Sequence, residues 1–136
     1  METERTLEQQ RAAYALAVVD TVRQQAPKSA GEYTTLSAAF PTLILASGLG
    51  QALAFLMTKR SKEPAHDLLL RHLNGWMCHE NKHSPYFCTQ KEDLLRAVVA
   101  GTQDQYAVAQ AEVIALLGWI KRCARAYLEA GTRGGA

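Results

Sequence analysis

A chain of 136 residues and 14.9 kDa fits one ordinary domain, because single hydrophobic cores usually serve on the order of 100–200 residues. Hydrophobic residues at 48% and charged residues at 21% exclude disordered and fibrous architectures. Fifteen Lys and Arg against thirteen Asp and Glu leave a net charge of +2, too small for the whole surface to be a nucleic-acid footprint, so any polyanion site is a local patch.

No alternating Val/Ile/Thr/Tyr run bounded by an Asn-Gly or Asp-Gly turn appears, while Ala, Leu, Gln, Glu and Arg dominate, so the expected class is all-α. The expected fold is a single-domain bundle of about five to six helices, with residues 6–130 as ordered core and 131–136 as a frayed tail. The first helix is expected to start at Thr6, whose hydroxyl forms a capping box with Gln9, and to stop before Pro27. Leu7, Tyr14, Val18 and Val22 share its apolar face, and Arg11 interrupts that stripe, so its guanidinium must pair, snorkel or bind something.

Lys28 to Glu32 reads as a connector, followed by a short helical piece from Tyr33 to Phe40 and a second helix after Pro41. That helix, Thr42 to about Arg60, is apolar on most sides and is expected at the centre of the core. Its longest apolar run, Leu43 to Met57, is shorter than the roughly 18–20 residues of a membrane span. Gly48 and Gly50 suit a close helix crossing; Leu53 stands where a dinucleotide fingerprint would need glycine, and no Gly-Lys-Ser/Thr follows.

A third helix is expected from Pro64, sending Leu68, Leu69, Leu73, Trp76 and Met77 inward and fading at Asn81 to Pro85. Thr89 and Glu92 suggest another capping box, opening a short helix that Gly101 closes in a left-handed cap. The last and longest helix runs from about Gln103 to Ala130, with Tyr106, Ala109, Val113, Leu116, Leu117, Ile120, Ala124 and Leu128 on one face. Three cysteines, an odd number, and an N-terminus without a basic start or apolar run favour reduced thiols and a cytoplasmic home.

The sharpest catalytic string is His79-Glu80-Asn81-Lys82-His83, a formal H-E-x-x-H, which on a helix would present two imidazoles to zinc and a carboxylate to its water. This gives the alternative reading, a small zinc-dependent hydrolase. The helix would have to continue through His83, yet Ser84-Pro85 follows at once, and Tyr86 and Thr89 replace the Gly and third His of the extended motif. Cys78, His79, His83 and Cys88 offer four zinc-ligand types, but only the histidine pair has structural-site spacing. No catalytic triad or carboxylate pair stands out, so the expectation is no enzyme, no cofactor, no metal and no small-molecule substrate.

What remains is basic. Lys59, Arg60 and Lys62 cluster at the exit of the second helix, and Lys121, Arg122 and Arg125 crowd the last, with Lys121 and Arg125 one turn apart. If the first, second and last helices pack together, these groups merge into a strip suited to a phosphate backbone.

Three stretches together resemble one family. Thr6 to Tyr14 (TLEQQRAAY), Phe40 to Leu56 (FPTLILASGLGQALAFL, with Lys59 just beyond) and Glu112 to Arg122 (EVIALLGWIKR) are similar, in that order and at fitting intervals, to the small all-helical subunit of the Cmr complex, the type III-B CRISPR RNA-guided effector. The resemblance covers about residues 6 to 128 and leaves the H-E-x-x-H string outside it. It implies a non-catalytic cytoplasmic subunit in antiviral defence. Copies of it would stack beside the backbone subunits, where target RNA pairs with CRISPR RNA, with no membrane involved. By position it assigns RNA contact to Arg11, Lys59, Lys121 and Arg122, whereas Arg60, Lys62 and Arg125 are added from charge placement alone.

Overall fold

The computed structural model describes residues 5–87 and 93–129. Thr6 caps α1 (Leu7–Gln25) through the expected box: its hydroxyl accepts from the Gln9 backbone N–H and the Gln9 side chain accepts from its own. The helix stops at Ala26, before Pro27. The connector is shorter than expected. A 3₁₀ turn, Pro27–Ser29, leads directly into α2 (Ala30–Ser47), so Gly31 and Glu32 are already helical.

Pro41 does not open a helix either; it lies inside α2. Its missing N–H leaves the Ser37 carbonyl without a helical donor, a penalty of roughly 3 kcal/mol. Burial of Phe40 and Ile44 on either side offsets it, each contributing about 1.5–3 kcal/mol.

The break falls instead at Gly48, dividing the expected Thr42–Arg60 helix into the end of α2 and α3 (Leu49–Lys59). Gly48 has φ 88°, a left-handed conformation that side chains resist, and a Cβ there would sit 2.9 Å from the Tyr106 hydroxyl. Two N–H groups at the start of α3 are satisfied by the last helix: Leu49 donates to Gln110 Oε1 at 3.0 Å and Gly50 to the Tyr106 hydroxyl at 2.9 Å. The glycines therefore do serve a close crossing, one made with polar side chains.

Proline opens α4 (Pro64–Gly75), which continues into a π-helical turn, Trp76–Glu80. Asp93 caps α5 (Leu94–Ala100) by accepting from the Arg96 N–H; the expected Thr89–Glu92 box lies outside the described residues. Gly101 ends α5 with φ −82°, an extended rather than left-handed conformation. A second capping box, Thr102 with Gln105, opens α6 (Gln103–Ala124), whose last turn loosens into a π-helical turn, Arg125–Glu129. The expected tail, 131–136, lies outside the described residues.

The result is all-α, with no strand among the described residues. Helices α2 and α6 pack side by side at its middle, α2 also touching α3 and α4, and α6 touching α1 and α5. Ile44, Leu49, Leu53 and Leu56 meet Leu69, Leu73, Val113, Leu116 and Ile120 in one core, and only Leu45 and Phe55 of the central apolar run are large and exposed. Among the described residues no helix is long and apolar enough to cross a membrane.

Candidate nucleic-acid interface

Arg11, on α1, points toward α6 and meets a carboxylate there. Its Nε and Nη2 donate to the two oxygens of Glu112, each at 2.7 Å, and its Nη1 donates to Glu8 at 3.0 Å. The side chains of Arg11 and Glu112 are 16% and 9% exposed, so the pair is largely removed from water. Glu112 also accepts the indole N–H of buried Trp76 at 3.0 Å. The bidentate bond to Glu112, first, holds the guanidinium's affinity for its proton above the ordinary value. Arg11 is thus occupied inside the fold, and the interruption it makes in the α1 stripe is answered by Glu112 in the core-facing register of α6.

The other basic residues lie outside. Lys59 and Arg60, at the end of α3, face acids: Lys59 Nζ lies 3.7 Å from Glu63 and 5.9 Å from the Phe55 ring centroid, and Arg60 bonds Asp67 at 2.8 Å. These contacts are solvent-exposed and contribute little stability. Lys62 is exposed without an acidic partner among the described residues.

On α6, Lys121 is half-buried and Arg122 exposed, Arg125 is exposed on the π-helical turn that continues it, and none of the three meets an acid among the described residues. Arg122 folds back to donate to the Gly118 carbonyl at 3.3 Å. Beside it stands Trp119, whose indole N–H donates to Glu8 at 3.2 Å. That bond, followed by the one from Arg11, holds the Glu8 carboxyl below its usual range, so it stays ionised. Trp119 and Glu8 were not among the sequence candidates; the signal for Trp119 was an indole two residues before Lys121 and one helical turn before Arg122 on a long helix.

The first basic group sits at the end of α3, which packs on α2 and α4, and the second at the end of α6, which packs on α1 and α2. The α6 cluster is the stronger candidate interface, since its cations are not engaged by acids and ride on a helix anchored by eight buried residues.

The H-E-x-x-H string does not stay on one helix. Asn81 leaves the helix at φ −87°, ψ 101°, donating its N–H back to Trp76, and its side chain caps the His83 N–H at 2.9 Å. His79 therefore lies on the π-helical turn and His83 on the following loop, not one helical turn apart. Cys78 is buried, Cys88 lies outside the described residues, and no cluster of three or more His, Cys, Asp or Glu among the described residues is placed to hold a metal.

Comparison with known proteins bears on most of the chain. A family model described as "CRISPR-associated protein (Cas_Cmr5)" matches residues 7–127. The fold is similar to the crystal structure of a CRISPR-associated Cmr5 family protein from Thermus thermophilus, at 29% sequence identity and a TM-score of 0.71, covering 90% of this chain and 97% of that one.

Proposed function

The chain belongs to the CRISPR-associated Cmr5 family, and from that premise we propose that it is the small, non-catalytic subunit of the type III-B (Cmr) RNA-guided effector in the cytoplasm. It stacks with copies of itself beside the backbone subunits and touches the backbone of target RNA and CRISPR RNA, while cleavage is performed by other subunits. The observation that carries the RNA contact is the set Lys121, Arg122 and Arg125, cations without acidic partners among the described residues, on a rigid helix. Such a surface reads an RNA by charge and shape, and guide pairing supplies the sequence specificity. Lys62, with Lys59 and Arg60 beside it, forms a secondary contact. Arg11 contributes from inside, by its bond to Glu112, rather than by touching phosphate.

Purification of the tagged chain from its native cells is expected to bring down several larger subunits and short repeat-derived RNAs; recovery of the chain alone would reject the proposal. In the assembled complex, Lys121→Glu with Arg125→Glu is expected to weaken target-RNA binding by about tenfold or more, with the fold unchanged.

A further inference from the structure

Between the start of α1 and the outer face of α6 lies a cleft of about 350 Å³, lined by Glu8, Ala115, Gly118, Trp119 and Arg122. This volume is near the lower end of the roughly 300–1,000 Å³ of small-ligand sites. Its floor is Ala115 and Gly118, one helical turn apart. Its sides are an indole and a guanidinium, both reachable from solvent.

Gly118 is the unusual member. Glycine weakens a helix interior relative to alanine, and in a packed helix it normally marks a close approach by a neighbour. Here a Cβ would meet only Arg122 Nη1, at 3.6 Å, an ordinary contact with the far end of a flexible side chain. Packing within the chain therefore does not account for the glycine. What it does is keep the cleft floor open.

The indole is also held in place. Its N–H is bound to Glu8, Glu8 to Arg11, and Arg11 by two bonds to buried Glu112, so the ring is tied to the core at the end of a charged relay. A pre-oriented aromatic face loses little freedom on binding.

The geometry points to a nucleotide-binding cleft, in which one unpaired RNA base stacks on the Trp119 indole over the Gly118 floor while the Arg122 guanidinium swings from the Gly118 carbonyl to the adjoining phosphate. Glu8, acceptor-only when ionised, faces the base's exocyclic amine and edge N–H groups. An aromatic platform beside a cation is the arrangement by which proteins hold single-stranded nucleic acid, with modest base preference. The inference rests on the RNA-contact reading and deepens it: α6 would hold a base as well as the backbone, and the target strand must present an unstacked nucleotide at each copy.

The test uses the complex assembled on its CRISPR RNA, with target RNA in which uridines are replaced by 5-iodouridine. Irradiation is expected to give an RNA adduct on Trp119, located by mass spectrometry. Gly118→Leu, which fills the cleft with a good helix former, is expected to remove most of that adduct and weaken target binding about tenfold, as is Trp119→Leu; Trp119→Phe should retain most of the affinity. Absence of the adduct, or an adduct and affinity unchanged by Gly118→Leu, overturns the cleft. If Lys121→Glu with Arg125→Glu still weakens binding in that case, the backbone reading stands without it; if that variant also binds normally, both fall.

Discussion

Helix α6 and the turn that continues it carry charge in two settings, roughly two and a half to three and a half turns apart. At Glu112 the charge faces inward, nearly dry, and is matched atom for atom by Arg11 and Trp76. At Lys121, Arg122 and Arg125 it faces outward and meets no acid among the described residues. A cation out of step with its apolar stripe is therefore not by itself a binding group. Whether it is spent inside the fold depends on what the opposing helix places in the same core layer. Interior charge then answers to geometry and pH, surface charge to salt.

The largest effect should come from breaking the inner pair on one side. Arg11→Ala or Glu112→Ala leaves a partner charge stranded and is expected to cost about 3–5 kcal/mol in chemical denaturation. Removing both, as Arg11→Met with Glu112→Gln, keeps an acceptor for the Trp76 N–H and should recover most of that loss, a coupling that a double-mutant cycle measures.

A second interior polar group should make the same point through pH. His72 Nδ1 shares a hydrogen bond of 2.7 Å with the Tyr33 hydroxyl, and burial, followed by the charge of Arg71, lowers its pKa from 6.5 to about 4. The folded state therefore resists a proton that the unfolded chain takes up. The contribution, up to about 3 kcal/mol, is fully present above pH 6.5 and is lost as pH falls toward 4. Denaturation midpoints across that range should drop for the wild type and drop less for His72→Gln.

Gly118→Ala is expected to raise stability by about 0.5–1 kcal/mol, since the added methyl finds room, and thermal unfolding would register it as a slightly higher Tm. Smallest of all, Lys121→Glu or Arg125→Glu should change stability by less than about 0.5 kcal/mol, because neither ends in an ion pair among the described residues.

Much of the fold was legible in the chain. The Thr6 box, the stop before Pro27, the inward face of α4 and the stripe from Tyr106 to Leu128 follow from local chemistry and periodicity, which act over a few residues. The misread places depend on partners remote in sequence. Pro41 stays within α2 because Phe40 and Ile44 are anchored in the core, and the chain breaks at Gly48 because Tyr106 and Gln110 of α6 receive the new helix start. The same holds for the site. Lys121, Arg122 and Arg125 could be named from spacing as candidates, whereas the fate of Arg11 needed Glu112, 101 positions away. Glu112 sits in the register between Ala109 and Leu116, so two mismatched charges, one on each helix, were the readable sign of the pair.

The division between inner and outer charge can be read from target-RNA affinity of the assembled complex as a function of salt, compared for the wild type, Lys121→Glu with Arg125→Glu, and Arg11→Met with Glu112→Gln. If α6 meets RNA with its outer cations alone, the slope of log affinity against log salt should fall for the first variant, by roughly 0.7 for each phosphate no longer neutralised on a single strand and 0.9 on a duplex, and stay unchanged for the second. An unchanged slope in the first variant, or a reduced one in the second, would contradict the division between inner and outer charge.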